Sequence, residues 1–394
     1  MTQLKQIDFD IHGLVGIRLL NPTPADAAAV EKQLGFKPSV LSKAPDIRIR
    51  FEKHLPLPDL RLLGLNAGFN EDGYYILRSS KADAKVRIPF EQVGGPCEIL
   101  CESGLRSVPL LIAILNLTLL NKNCLPLHAS AFDFQDQGIL VTGWSKGGKT
   151  EALLAFTHHG ARYVGDEWVV LDGDGDKMYG LPEPVTVWDW HMRCLPGIRK
   201  KLSKSKARVF RAVRFLEKIQ RASAKGFIKN SFGARLLREA MPAFKRQMHV
   251  NIPPNTLFDE LNSRLVSSPR KVFFIMSHRS AEITVDNIDN REIVHRMISS
   301  IEYEQLPFRE HYLTFKFAFP DKHNTFYEQA PKLQYELLSR ALAEKEAFLV
   351  KHPYPVSLME LYEKMKPFCE IKMAAGTQTT VDEKPVVELD EMSL

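Results

Sequence analysis

The chain has 394 residues, of which 44% are hydrophobic and 25% charged, a composition typical of a folded globular protein rather than a disordered or fibrous one. Its five cysteines include no CxxC pair, and their odd number argues against a disulfide framework, so we expect a reducing, cytoplasmic setting. The net charge of +6 is unevenly distributed, because residues 193–246 contain 17 Lys or Arg and two acids.

The first 105 residues predict an N-terminal α/β region. Residues 73–80 (GYYILRSS) and 84–90 (AKVRIPF) have strand patterns with turn residues nearby, and residues 24–36 have a helical pattern. The N-terminus has no long apolar core of the signal-peptide type. Residues 107–121 are the most apolar segment, but they are too short to span a bilayer and predict a buried helix.

A phosphate-binding loop is the clearest motif of the chain. Residues 138–143 (GILVTG) predict a strand and residues 150–160 (TEALLAFTHHG) a helix that ends at a glycine. Between them, Gly143-x4-Gly148-Lys149-Thr150 has the spacing of a loop whose backbone N–H groups and helix N-terminus surround phosphate oxygens. A glycine-rich hairpin is the alternative, which the strand before the loop and the helix after it disfavour. The sequence therefore predicts an ATP and Mg²⁺ site at Gly143, Ser145, Lys146, Gly147, Gly148, Lys149 and Thr150.

Two carboxylates follow this loop in a second apolar segment. Residues 161–172 (ARYVGDEWVVLD) predict a strand that contains Asp166 and Glu167, where ionised side chains would be costly if they were merely buried. Phosphoryl transfer needs a carboxylate for the metal and, in a kinase, a base for the attacking hydroxyl. We therefore expect these two residues to supply both, with a charge pair on an edge strand as the alternative.

The segments LHASAF, GWSKGGKT and VGDEWVVLD together resemble the catalytic core of HPr kinase/phosphorylase and its kinase-only relatives, across residues 124–198. That family shares its nucleotide-binding architecture with phosphoenolpyruvate carboxykinase. The spacing also matches, since His128 precedes Gly143 by 15 positions and Asp166 follows Lys149 by 17. The resemblance implies an α/β fold with a carboxykinase-like phosphate-loop kinase core, and a homo-oligomer.

The resemblance also implies a role for each matching residue. Lys149 would contact the β- and γ-phosphates, Thr150 would bind Mg²⁺, and Asp166 would be the general base for a serine hydroxyl. Glu167 stands where the family has a second, metal-binding aspartate, and His128 stands at the active-site histidine, although a packed, hydrogen-bonded histidine is the alternative.

Two further parts of the family pattern are altered in this chain. In the family's Glu-x-Arg-Gly segment near the phosphates, Arg193 is retained and His191 replaces the glutamate. The signature loop tied to the reverse phosphorylase reaction has no counterpart, which implies a kinase-only relative for which HPr is not the expected substrate.

The rest of the chain divides into an insert, a helical region and a tail. Within a kinase core at residues 106–373, the basic insert at residues 194–250 predicts a helix with Val209, Phe210, Val213, Leu216 and Ile219 on one face. The opposite face carries Arg208, Arg211, Arg214 and Lys218. Four interpretations of this basic helix remain open: it binds a nucleic acid, an anionic membrane surface or an acidic protein, or it is a solvated lid on the core.

Residues 335–350 predict a helix, and residues 374–394 predict a disordered acidic tail.

Three functions follow from these patterns. The first is an ATP- and Mg²⁺-dependent kinase that transfers the γ-phosphate to a hydroxyl, of a protein or peptide Ser or Thr or of a small molecule. The second is a nucleotide-binding regulatory or scaffold protein with little catalysis. The third is a nucleic-acid-binding ATPase, favoured by the basic insert alone.

Overall fold

The computed structural model describes residues 5–79, 82–195, 197–198, 204–223, 239, 248–258, 261–262 and 264–370, which form a mixed α/β protein. The predicted acidic tail and residues 224–238 and 240–247 of the basic insert lie outside the described residues. Among the described residues, no helix combines the length and the apolar character needed to cross a bilayer.

The N-terminal region contains a sheet of eight described strands in the order β1-β2-β3-β8-β7-β6-β5-β4, in which β2, β3 and β8 are parallel. Its strands are β1 (Gln6–Ile11), β2 (Val15–Leu20), β3 (Ile47–Glu52), β4 (Arg61–Leu63), β5 (Ala67–Asn70), β6 (Gly73–Ser79), β7 (Ala82–Arg87) and β8 (Cys97–Glu102). Helix α1 (Pro24–Leu34) connects β2 to β3, beginning at a Thr23–Asp26 capping box and ending at Gly35. The predicted α/β pattern of this region is confirmed.

A second sheet carries the glycine-rich loop. Its described strands follow the order β16-β13-β12-β9-β10-β17-β19-β18, and β11 also pairs with β9. They are β9 (Cys124–Phe134), β10 (Gln137–Thr142), β11 (Arg162–Gly165), β12 (Trp168–Asp172), β13 (Met178–Gly180), β16 (Val266–Ser267), β17 (Pro269–His278), β18 (Thr284–Asn287) and β19 (Glu346–Pro353). Strands β10, β17 and β19 are parallel, while β14 (Val185–Trp188) and β15 (His249–Ile252) form a separate pair.

Helices cover both faces of the second sheet. They are α2 (Leu111–Asn121), α3 (Lys149–His158), α4 (His191–Cys194), α5 (Lys204–Ser223), α6 (Pro254–Leu257), α7 (Asn290–Glu304), α8 (Leu306–Ala318), α9 (Thr325–Leu342) and α10 (Leu358–Cys369). On β10, Ile139 and Val141 pack into the core with α3 and α10, while Leu140 packs into the core with α2, α7 and α9. Because successive side chains alternate between faces, a strand buried on both sides has to be apolar at every position.

Two predicted elements are wrong in part. The single strand expected over residues 161–172 is interrupted, because Asp166 and Glu167 form a tight turn in which Glu167 has a φ of +63° and the Trp168 N–H donates to the Asp166 carbonyl at 2.8 Å. Both halves pair with β9, so the turn directs the two carboxylates out of the ladder. The helix expected over residues 335–350 ends at Leu342, and β19 follows with Phe348, Val350 and His352 buried at every second position.

The described part of the basic insert contains helix α5, as predicted, and also the first two residues of β15. Phe210 is buried in the same core cluster as the side chains of α3, and Val213 is also buried, whereas Val209 is 50% exposed. The apolar face is therefore narrower than the sequence pattern suggested. Arg214, expected on the solvent side, donates through Nε to Asp189 Oδ1 at 2.9 Å and ties the helix to the segment after β14.

Candidate active site

The glycine loop, residues 143–148, connects β10 to α3 and packs closely on the two neighbouring parallel strands. Gly143 and Gly148 have φ values of +150° and +113°. A Cβ at Gly143 would lie 2.3 Å from the Ile275 carbonyl oxygen, and one at Gly148 would lie 2.3 Å from His352 Nε2. Glycine is required at both positions, because any side chain would push the loop off β17 and β19.

Helix α3 begins inside a cleft with its first N–H groups uncapped. Its N-cap is Gly148, and no side chain caps the backbone there. Such a helix start has unpaired donors and a positive dipole end, which together favour an anion. The cleft, which we call the loop cleft, has a volume of about 210 Å³ and is lined by His128, Ser145, Lys146, Gly147, Gly148, Lys149, Thr150, Glu151, Asp166, Glu167, Thr186, Trp188, His191 and Tyr354.

Lys149 is folded back over the loop. Its ammonium donates to the carbonyls of Gly143 at 3.3 Å and Trp144 at 3.0 Å, and the residue is buried. Burial lowers the pKa of Lys149, against the opposing pull of Glu167 and Asp166. The neighbouring carboxylates now stabilise the charge of this buried ammonium. A strongly anionic ligand in the cleft would stabilise it further.

Asp166 is the most buried acid of the cleft, at 1% exposure. The Thr150 hydroxyl donates to its Oδ2 at 3.1 Å, and the Ser130 hydroxyl donates to its Oδ1. Burial and the neighbouring Glu167 raise the pKa of Asp166 to about 7, despite these two hydrogen bonds. A carboxyl group with such a pKa accepts and releases protons near neutral pH.

His128 connects two carboxylates. Its Nε2 lies 3.0 Å from Glu167 Oε2 and its Nδ1 lies 2.6 Å from Glu304 Oε1. Burial alone would lower the pKa of His128, but the bonds to Glu167 and Glu304 outweigh it and raise that pKa. The bond from His128 in turn lowers the pKa of Glu167, which keeps this carboxylate charged beside Asp166. The histidine therefore fixes the side chain that projects from the turn.

Two further acids complete the electrostatics. Oε1 of Glu183 is buried without a hydrogen-bond partner, and burial together with Glu167 and Asp166 raises the pKa of Glu183 to about 8. Glu151 accepts from His191 Nε2 at 3.2 Å, while His191 Nδ1 accepts the Trp188 N–H at 3.2 Å. His191 thus has both ring nitrogens satisfied and positions a carboxylate at the start of α3.

Gly143 lies at the start of the glycine loop but not in the cleft lining, and the second predicted site residue outside that lining is Arg193. It donates to Asp189 Oδ2 at 2.9 Å with its side chain 54% exposed, and Arg214 shares the same carboxylate. In this arrangement Arg193 neutralises Asp189 and does not face the glycine loop. The other predicted residues, His128, Lys149, Thr150, Asp166 and Glu167, converge on one cleft with the loop.

The described residues hold no group of three or more His, Cys, Asp or Glu side chains that could bind a metal on their own. Mg²⁺ in phosphate-binding sites is held by one or two protein oxygens, with phosphate oxygens and waters supplying the rest. The hydroxyl of Thr150, which contacts Asp166, and a carboxylate of the Asp166–Glu167 turn provide such oxygens. These oxygens therefore fit a Mg²⁺ whose remaining ligands are phosphate oxygens and waters.

Sequence reasoning missed four residues around this cleft. Ser130 lies two positions after His128 on β9, so period-two alternation alone would have placed it on the same face. Glu183, Glu304 and His352 come from distant segments that only the fold brings to the loop. Nε2 of His352 donates to the Gly147 carbonyl at 2.7 Å and so holds the loop against β19.

Comparison with known proteins provides no relative from which a role could be transferred: no protein-family model matches the chain, and no curated protein is significantly similar to it.

Gly148→Ala should lower the free energy of unfolding by about 3 kcal/mol, because the left-handed φ and the clash with His352 act together. Gly160→Ala is the matched control, since Gly160 has a φ of +86° with open space around its Cβ position, and it should cost only about 1 kcal/mol. Urea denaturation of both variants measures the difference. Equal losses would contradict the close packing of the loop on His352.

Proposed function

We propose that the chain is an ATP- and Mg²⁺-dependent kinase that transfers the γ-phosphate to a hydroxyl group, built on a carboxykinase-like core of the HPr kinase type. The observation that carries the proposal is the hydrogen bond from Thr150 to the buried Asp166, whose pKa is raised to about 7. Thr150 lies in the first turn of α3, where no side chain caps the helix. A phosphate loop without catalysis does not need a proton acceptor at this position.

In the proposed reaction the acceptor hydroxyl loses its proton to Asp166 as its oxygen attacks the γ-phosphorus, and the bond from that phosphorus to the β-phosphate oxygen breaks to release ADP. Lys149 moves from the loop carbonyls to the outer phosphates and neutralises the charge that develops there. Mg²⁺, when bound, shields the phosphate charge. Thr150 would offer it a hydroxyl oxygen and Glu167 a carboxylate, which leaves Asp166 as the base.

The acceptor we favour is a Ser or Thr of a protein or peptide, with a small-molecule hydroxyl as the alternative. The resemblance of residues 124–198 to HPr kinase supports a protein acceptor. The basic helix α5 supports an acidic partner, because Arg208, Arg211 and Lys218 are exposed there while Arg214 is tied to Asp189.

Asp166→Asn should lower phosphoryl transfer by about 10²- to 10⁴-fold while nucleotide binding persists, since the change keeps the shape and removes the base. The assay is transfer of radiolabelled γ-phosphate to proteins of the native lysate. Asp133→Asn is the control, because Asp133 is also buried but bonds Asn262 and Ser267 instead of lining the cleft. Unchanged labelling by Asp166→Asn would place the base elsewhere, and wild type that binds ATP without labelling any protein would favour the regulatory function.

The pH dependence gives an independent test of Asp166. The rate should rise about tenfold per pH unit below about pH 7 and level off above it, because only the ionised carboxylate accepts a proton.

The free energy of unfolding should change in the opposite direction with pH. The raised pKa of Asp166 in the folded state stabilises the fold below about pH 4, and this contribution is lost between about pH 4 and 7. Asp166→Asn should lack that loss. Thermal unfolding of both proteins across this range measures it, and parallel profiles would contradict the buried carboxyl.

A further inference from the structure

A second cavity of about 300 Å³ adjoins the loop cleft. We call it the amide pocket. It lies between α2, α7, α8 and α9, and its wall on the sheet is formed by Pro126 of β9 and Trp168 of β12. Pro126 lies two positions from His128 on the same strand, and Trp168 pairs with His128 across the ladder. Glu304 lines the amide pocket and accepts from His128, which lines the loop cleft, so the two cavities share a wall.

Two buried amide groups line this pocket with oxygens that have no partner. Asn116 of α2 and Gln334 of α9 are 9% and 3% exposed, and Asn116 Oδ1 and Gln334 Oε1 are buried without a hydrogen bond. Buried side-chain amides are nearly always paired. Asn324 shows the usual case, since its amide donates to the Phe90 and Val93 carbonyls at 2.7 and 2.8 Å. The side-chain oxygens of Asn116 and Gln334 therefore need hydrogen-bond donors that the described residues do not supply.

The rest of the lining sets the chemistry of a ligand. Leu111, Leu117, Ile301 and Phe308 make most of the wall apolar, and the one charged residue among the described lining residues is the carboxylate Glu304. The buried polar atoms without a partner in this lining, Asn116 Oδ1 and Gln334 Oε1, are thus hydrogen-bond acceptors, and Glu304 adds a negative charge. The aromatic rings of Trp168 and Phe308 in the lining are also compatible with a cation. One backbone feature belongs to the same wall: Leu110, at the start of α2, has a left-handed φ of +60°.

We propose that the amide pocket binds a primary amine carried on an apolar body. The ammonium donates to the acceptors that the pocket leaves unpaired, and the apolar body fills the space between α2 and α8. Because Glu304 bonds His128 and His128 bonds Glu167, occupation of the pocket is transmitted to the carboxylates of the loop cleft. The proposal does not depend on what the loop cleft binds.

The first experiment titrates the full chain, without nucleotide, with 2-phenylethylamine and with 3-phenylpropanoate, followed by ligand-detected NMR. The amine should bind with a Kd on the order of 1 mM, as expected for a ligand of this size, and the anion of similar shape should not bind. Asn116→Leu and Gln334→Met should each weaken the amine by about tenfold. Equal binding of amine and anion, or binding that neither variant weakens, would overturn the proposal.

The second experiment measures the ligand-free protein. Asn116→Leu should raise Tm by about 2–4 °C, because it removes an unpaired buried amide, whereas Asn324→Leu should lower it by breaking two hydrogen bonds. Gain of stability with loss of amine binding is the pattern of a residue retained for a ligand. A fall in Tm for both Asn116→Leu and Gln334→Met would assign these amides a structural role and contradict the proposed site.

Discussion

The hydroxyl groups of Ser130 and Thr150 donate to the buried carboxyl group of Asp166, and the geometry of the loop cleft depends on this contact. Each of the three residues comes from a different element: Ser130 from β9, Thr150 from the first turn of α3, and Asp166 from the turn between β11 and β12. The contact therefore links α3 to β9 and to the turn between β11 and β12. It also buries an acid deeply enough to raise its pKa into the neutral range.

The same cleft contains charges that could not persist singly. Lys149, His128, Glu167, Asp166 and Glu183 are brought together where desolvation penalises each charged form. The cost of burial is reduced in three ways. His128 bonds two carboxylates, Lys149 donates to loop carbonyls, and the raised pKa of Glu183 favours its uncharged form. Such clusters of shifted groups are typical of catalytic sites, because a positioned base needs a pKa close to the working pH.

The sequence predicted the parts of this site that are determined by residues close together along the chain. Strand β10, the glycine loop and α3 follow from a continuous apolar run, left-handed glycines and helical spacing. The turn at Asp166 and Glu167 was not predicted, although Gly165 and the two acids interrupt the apolar pattern, because the apolar residues on both sides were taken for one strand. Strand β19 was taken for helix because residues 343–346 are good helix formers, whereas its pairing with β17 is a long-range interaction. Glu304, Glu183 and His352 reach the cleft only through the fold, so no local signal marks them.

The most direct test of the central claim is calorimetric titration of MgATP into wild type, Lys149→Ala and Lys177→Ala, an exposed lysine of the turn after β12. The account predicts that Lys149→Ala weakens binding by at least about 100-fold, because the loop loses its buried ammonium at the start of α3, whereas Lys177→Ala binds as wild type does. Equal, tight binding by wild type and Lys149→Ala would contradict the placement of the nucleotide at the glycine loop.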